Sequence, residues 1–303
     1  MERKTNMEKQ ATERKPCPCT RVNCPRYGDC ESCSEYHHTS KRKLLTRCEK
    51  LERKAQRKNE IQEKKRGKYA VMKITIIHGQ SHEGSTCMVA RELADKVGGE
   101  IREFFLPRDF SMPCIGCYTC FKTDLTHCPH YKELKPLVEA ILEADLLILE
   151  SPVYVYHATG QMMSFLDHFG TWWVVHRPLA EMSRKQAVAI STAAGGGMKS
   201  TIRDMADSLE MWGIRKVYRL GFGVQALKPD EIPERILKSI HRKTDRLAKR
   251  IRANAGKRGC NGRAKKWFTL MRFAHKHFPP MEPDYSYWEK QGWHGGNRLW
   301  RSV

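Results

Sequence analysis

Residues Tyr69–Thr86 read YAVMKITIIHGQSHEGST, and the fold turns on how this stretch is understood. Its first part is an apolar, largely β-branched run that ends at a glycine. A strand exposed on one face alternates apolar with polar residues. A run without alternation belongs to a strand buried on both faces, as in a parallel sheet between helices. The second part, His78–Thr86, supplies glycines and the hydroxyls of Ser81, Ser85 and Thr86, and STCMVARELADKVGG continues with helical periodicity to a Gly-Gly stop. At such a strand–turn–helix junction, main-chain N–H groups and the positive end of the helix dipole converge on an anion. The loop is neither GxxxxGK[ST] nor GxGxxG and holds no lysine, which argues against nucleoside triphosphate and dinucleotide fingerprints and suits a monophosphate. A serine-capped helix start has the same composition.

Further along, EIREFFL reads as a second strand, YKELKPLVEAILEA as a helix and DLLILESPVY as a third strand. QMMSFLDHFGTWW is helical, QAVAIST is a strand, and GGGMKSTIRDMADSLEMWG is a glycine-rich loop feeding a helix. IRKVYRLGFG is a fifth strand, and the stretch from PDEIPERILK to Gly256 is a long closing helix. This alternation predicts an α/β fold with a parallel sheet covered on both faces. Ligands of such sheets sit beyond the carboxyl ends of the strands. There, Pro152 fixes a turn, Tyr154 and Tyr156 can flank a flat ring, and Gly195, Gly196 and Gly197 let main chain approach a planar ligand. Core packing for the tyrosines and a hinge for the glycines are the alternatives.

From about Val71 to Leu227, roughly half of the sequence, the chain resembles the flavodoxin-like NAD(P)H-dependent FMN reductase family. IIHGQSHEGST stands where that family has its Gly-Ser-x-x-x-x-Gly-Asn-Thr phosphate loop. Gln80 replaces the usual Ser and Ser85 the usual Asn. SPVYVYHATGQMMSFLDHF matches the Ser-Pro-x-Tyr segment with its following helix, and STAAGGG the third flavin loop. The resemblance implies a flavodoxin-like five-stranded sheet of order 2-1-3-4-5. It implies FMN held by Gly79, Ser81, Gly84, Ser85, Thr86, Ser151, Pro152, Val153, Tyr154, Thr192, Gly195, Gly196 and Gly197. It further implies NAD(P)H as co-substrate, a homodimer, and an acceptor that is a quinone, a flavin, a nitro compound or an electron-carrier protein. No catalytic acid or base is expected, because the flavin carries the chemistry.

Twelve cysteines point to metal or redox chemistry. Four of them lie in MPCIGCYTCFKTDLTHCPH, Met112–His130, spaced C-x2-C-x2-C-x7-C. Iron–sulfur flavoproteins of the wider family carry a similar compact motif in the matching place. The resemblance thus implies a [4Fe–4S] cluster at Cys114, Cys117, Cys120 and Cys128. A metal-free substrate-side loop and a zinc site remain open alternatives. CPCTRVNCPRYGDCESCSEYHH, starting at Cys17, is too short and cysteine-dense to fold around an apolar core. Zinc is expected there, with Cys17, Cys24, Cys30 and Cys33 as ligands; a second iron–sulfur site or an unstructured arm are the alternatives.

Composition divides the 303 residues into a disordered basic segment 1–15, a Cys/His-rich module 16–48, and a charged helical or disordered linker 49–68. The FMN-binding domain, 69–256, and an aromatic and basic extension, 257–303, follow. The extension can pack on the core, form a dimer interface or cover the site. No stretch approaches the roughly 18–20 apolar residues of a membrane span, and no secretory apolar segment follows the N-terminus. A cytoplasmic protein is expected. The net charge of +21 is concentrated before Tyr69 and between Lys238 and Lys266, which reads as solvated basic helices. A nucleic acid or anionic surface is the alternative, although no recognition motif accompanies the charge. A redox-sensing binding protein and a flavodoxin-like carrier without reductase activity are the competing functions.

Overall fold

The computed structural model describes residues 17–19, 21, 23–39, 45–67, 71–278, 280 and 282–301; the segment expected to be disordered, 1–15, lies outside them. The chain forms two compact units, one up to Ala70 and one from Val71.

In the first unit, α1 (Cys30–Thr39) and α2 (Arg47–Gly67) each begin at a side-chain cap. The Ser32 amide donates to the Asp29 carboxylate at 3.1 Å. Thr46 and Glu49 form a reciprocal capping box. The Thr46 amide donates to Glu49 at 2.8 Å, and the Glu49 amide donates to the Thr46 hydroxyl at 3.2 Å. Most of the stretch read as a helical or disordered linker is thus the helix α2.

The second unit runs β1 (Lys73–His78), α3 (Ser85–Val97), β2 (Glu100–Phe105), α4 (Thr119–Lys122), α5 (Tyr131–Glu143), β3 (Leu146–Glu150), α6 (Gly160–Leu166), β4 (Gln186–Ala193), α7 (Met198–Met211), β5 (Lys216–Gly223), α8 (Glu234–Ala253), α9 (Gly262–His277) and α10 (Glu282–Lys290). The strands are all parallel, in the order β2-β1-β3-β4-β5. Period-two geometry distributes the unbroken apolar runs between the two faces. Ile74, Ile76, Ile148 and Val188 pack with Val89 and Leu93 of α3 and Ile240 and Leu247 of α8. Ile77, Leu147, Leu149 and Ala189 pack with α5, α6 and α7 through Leu134, Phe165 and Leu209. Each fully buried Ile or Leu stabilises the sheet by about 1.5–3 kcal/mol.

Two segments differ from the sequence reading. The helix expected through Trp173 stops at Leu166 and tightens into a 3₁₀ turn, Asp167–Trp172, broken at Phe169. Gly170 in that turn lies against Phe121, where an added Cβ would come within 3.1 Å of the ring. The extension, which lacks a clean period, forms α9 and α10. Their apolar residues join Val174 and Met211 in a third cluster rather than lining one stripe. Phe268 stacks on Trp288 with ring centroids 4.6 Å apart and meets Trp293 edge-on at 5.3 Å. Among the described residues no helix is long and apolar enough to cross a membrane.

Because Phe268 is fully buried in that cluster, Phe268→Ala is expected to lower unfolding stability by about 3–5 kcal/mol. Urea titration should show a lower midpoint with an unchanged slope; an unmoved midpoint would mean that the extension is not part of the core.

Candidate functional site

Three loops meet at the carboxyl ends of β1, β3 and β4, where the strand order reverses. Gly79 is held on both sides: its amide donates to the Glu150 carbonyl at 2.7 Å, and its carbonyl accepts from the Thr159 hydroxyl at 2.6 Å. An added Cβ there would lie 2.9 Å from Glu150 O and 3.0 Å from Thr159 Oγ1, so only glycine fits. The Thr86 and Thr192 hydroxyls are 2.6 Å apart, which joins the first loop to the third. Val153 donates from its amide to Thr192 O at 3.1 Å, and the Ser151 hydroxyl accepts from the Thr159 amide at 2.9 Å. Gln80 donates to the Tyr154 hydroxyl.

Of the predicted residues, Gly79, Ser85, Thr86, Ser151 and Thr192 are buried at this junction, while Ser81, Tyr154, Gly195 and Gly196 face solvent. Helices α3 and α7 begin at Gly84 and Gly197 without a side-chain cap, so their first-turn amides are not satisfied by a capping side chain. Gly197 has φ +96°, and a Cβ there would lie 2.6 Å from the Val153 side chain. Between Tyr154 and His157 the chain turns through Val155 and Tyr156, both with positive φ, 49° and 67°. For a β-branched residue this is a strained conformation. The Ser200 hydroxyl supports it by donating to Tyr156 O.

Below the first loop, His78 is fully buried. Its Nδ1 lies 2.7 Å from Glu150 and its Nε2 3.1 Å from Glu103. Glu103 is in turn bound by Arg91 at 2.8 Å. Burial by itself pushes the His78 pKa down, but the Cys87 thiol and Glu150 outweigh it and raise it to about 9. Burial also pushes the Glu150 carboxyl up, against His78. We place the proton on His78, because a ring that faces carboxylates from both nitrogens donates from both.

The cysteine loop leaves the carboxyl end of the edge strand β2. Cys114, Cys117, Cys120 and Cys128 all line one cavity of about 280 Å³, with His130, Asp167 and His168 on its wall. Asp167 and His168 follow α6, the helix that leaves the second loop, so that helix connects the second loop to the cavity wall. Burial raises the Cys120 pKa, and so do the neighbouring Cys128, Cys114 and Cys117. Hydrogen bonds from the Thr119 hydroxyl and amide lower that of Cys117. Donor atoms of Cys128, His130 and His168 lie within 4.8 Å of one another, and His130 Nδ1 is 3.0 Å from His168 Nε2. Neither histidine is marked out by the cysteine spacing; only the fold of residues 151–168 brings His168 to the cavity.

In the first unit Cys17, Cys19, Cys24, Cys33 and Cys48 are half-buried and Cys30 is exposed, while Tyr27, Tyr36 and Leu51 face solvent. Burial raises the Cys33 pKa, and the nearby Cys24, Cys19, Cys17 and Cys30 raise it further. Burial also raises the pKa of Cys48, outside the predicted set, and the nearby Cys17, Cys30 and Cys33 raise it further.

A five-stranded doubly wound sheet with three interlocked loops at its switch point defines a flavodoxin-like protein. The model of the NADPH-dependent FMN reductase family matches residues 72–224. An iron-sulfur flavoprotein of Archaeoglobus fulgidus is 30% identical over 182 residues, 59% of this chain and 78% of that protein. An iron-sulfur flavoprotein of Methanocaldococcus jannaschii is 30% identical over 143 residues, 44% of this chain and 69% of that protein. Among solved structures, an NAD(P)H:quinone oxidoreductase from Methanothermobacter marburgensis has a TM-score of 0.47 at 16% identity, covering 59% of this chain and 96% of that one. The chain belongs to the NADPH-dependent FMN reductase family, in its iron–sulfur flavoprotein-like branch, and is an FMN reductase-like oxidoreductase.

The folded protein holds the His78 proton up to about pH 9, whereas an unfolded chain releases it near 6.5. The contribution of this group to stability is complete below about pH 6.5 and is lost as pH rises through about 9. Urea midpoints should therefore fall over that window, and His78→Gln should flatten the fall. An equal slope in both proteins would exclude His78 as its source.

Proposed function

We propose that the chain takes electrons from NAD(P)H and delivers them to a quinone, flavin, nitro compound or electron-carrier protein, with FMN at the three loops and a [4Fe–4S] cluster at Cys114, Cys117, Cys120 and Cys128. The observation that carries the reading is the cavity that all four thiols share, walled by Asp167 and His168 at the end of α6.

The residues fit both groups. For FMN, the uncapped first turn of α3 offers amides to a phosphate. The hydroxyls of Ser85 and Thr86 lie at that turn, and Ser81 stands at its mouth. Gly195 and Gly196 have open space where a Cβ would point, so main chain can lie close to a flat ring. Pro152, Val153 and Tyr154 are the residues proposed for the other side of the ring. When bound, FMN supplies hydride and single-electron chemistry; the protein binds and orients it. For the cluster, burial and the neighbouring thiols raise the Cys120 and Cys128 pKa, so these thiols stay protonated until a metal ligates them as thiolates. The cluster supplies one-electron transfer. The exposed Tyr154, Val155 and Tyr156 at the mouth suit a partner subunit, and a cytoplasmic homodimer belongs to this reading.

The first unit is read as a zinc-stabilised module. Its least exposed described side chains include five thiols, and α1 buries no residue, which supports metal ligation over apolar burial as what holds it. Cys17, Cys24, Cys30 and Cys33 are the ligands proposed, with Cys48 and Cys19 as the competing thiols.

Anaerobic reconstitution should give about one FMN and about four irons per chain. Cys128→Ser should lose iron while keeping flavin, and Thr86→Val should weaken FMN binding about 5–30-fold. A chain that takes up neither flavin nor iron would sink the reading. Zinc is expected to persist in Cys128→Ser and to be lost in Cys33→Ser, read by elemental analysis. Equal zinc in both variants would remove Cys33 from the ligand set.

A further inference from the structure

We propose that Arg177, fixed by Asp284 of the C-terminal helix α10, is a positioning residue for the cysteine loop, so that the extension sets the geometry of the thiol cavity. The inference rests on reading that cavity as a cluster site, but its geometry stands apart from any metal.

Helix α4, which carries Cys120, is a single turn, Thr119–Lys122. One turn is not stable alone, and the carbonyls at its end need partners. Arg177 supplies them. Its Nη1 donates to Thr123 O at 2.7 Å, and its Nη2 donates to Cys120 O at 2.6 Å and Phe121 O at 3.2 Å. A positive fork at a helix carboxyl end also complements the dipole.

Arg177 is only 8% exposed, and a buried guanidinium needs a counter-charge. That charge is Asp284, 3% exposed, whose Oδ1 lies 3.3 Å from Arg177 Nε. The contact is an ion pair and not an aligned hydrogen bond, since Asp284 Oδ1 accepts none. Asp284 Oδ2 is 2.8 Å from His176 Nδ1.

Helix α10 grips the same segment twice more. The Tyr287 hydroxyl donates to Pro178 O at 2.8 Å, and Trp288 Nε1 donates to His176 O. The His176 ring in turn meets Phe121 edge-on at 5.0 Å. Trp288 is anchored in the aromatic cluster of the extension. A continuous set of contacts therefore runs from that cluster through residues 176–178 to the backbone of Cys120.

The test uses the full-length flavoprotein with Asp284→Asn, whose polar partners are His176 and Arg177 rather than cysteine-loop residues, and with Arg177→Lys, which keeps the charge but lacks the fork. Exposed Glu282→Gln in the first turn of α10 is the control. Iodoacetamide alkylation, followed residue by residue by mass spectrometry before iron loading, should be about tenfold faster at Cys120 in Asp284→Asn. Arg177→Lys should show a smaller rise. Buried Cys87 in α3 and the flavin content should not change, and after reconstitution Asp284→Asn should hold less iron than Glu282→Gln. Unchanged alkylation of Cys120 in both variants overturns the proposal. An equal rise at Cys87 also overturns it, because the pair would then only support the fold. If Asp284→Asn does not fold, Arg177→Lys decides by the same rates. If the unmodified protein takes up no iron, the cluster reading fails, and the alkylation rates alone judge the positioning role.

Discussion

The close approach at Gly79 is the constraint on which the site depends. Its amide and carbonyl are taken by Glu150 O and the Thr159 hydroxyl, which ties the carboxyl ends of β1 and β3 together without room for a Cβ. The same Thr159 hydroxyl accepts from the Met162 amide at 3.2 Å and so starts α6. One small residue and one hydroxyl thus fix the first loop, the second loop and the helix that leads to the cysteine cavity. A side chain at residue 79 would have to separate β1 from β3.

Charge is arranged in two layers around this point. The loop itself holds no lysine, so the positive features at its end are the uncapped amides and dipole of α3. Beneath it, the His78 imidazolium stands between Glu150 and Glu103, with Arg91 closing the network toward the surface. The cation is spent on neighbouring carboxylates, although Glu150 Oε2 stays buried without a hydrogen-bond partner. The strained turn at Val155 and Tyr156 sits beside this site, where the surrounding hydrogen bonds support a conformation that the residues would not adopt alone.

The two cysteine groups have different physical standing. Cys114–Cys128 hang from a sheet that is stable by its own apolar burial, and the loop backbone is clamped by Arg177. The thiols of the first unit are half-buried, apart from the exposed Cys30. The first group is thus a loop on a packed sheet, whereas α1 of the first unit buries no residue.

The sequence by itself determined the layered sheet, because unbroken β-branched runs can be satisfied only by burial on both faces and the intervening helices leave only parallel pairing. It also marked the three loops and the four thiols, since glycines, a Ser-Pro step and close cysteine spacing are local signals. The early end of α6 was not legible from its own periodicity, and the turn that follows packs Gly170 against Phe121, nearly fifty residues away in the chain. The same holds for His168 at the cavity wall, for the Arg177–Asp284 pair that spans more than a hundred residues, and for α9 and α10, whose buried faces follow an irregular aromatic cluster. Local patterns report what a segment does with its own backbone and its solvent face. Which distant charge or ring completes a site is set only when tertiary packing brings those groups within a few ångströms.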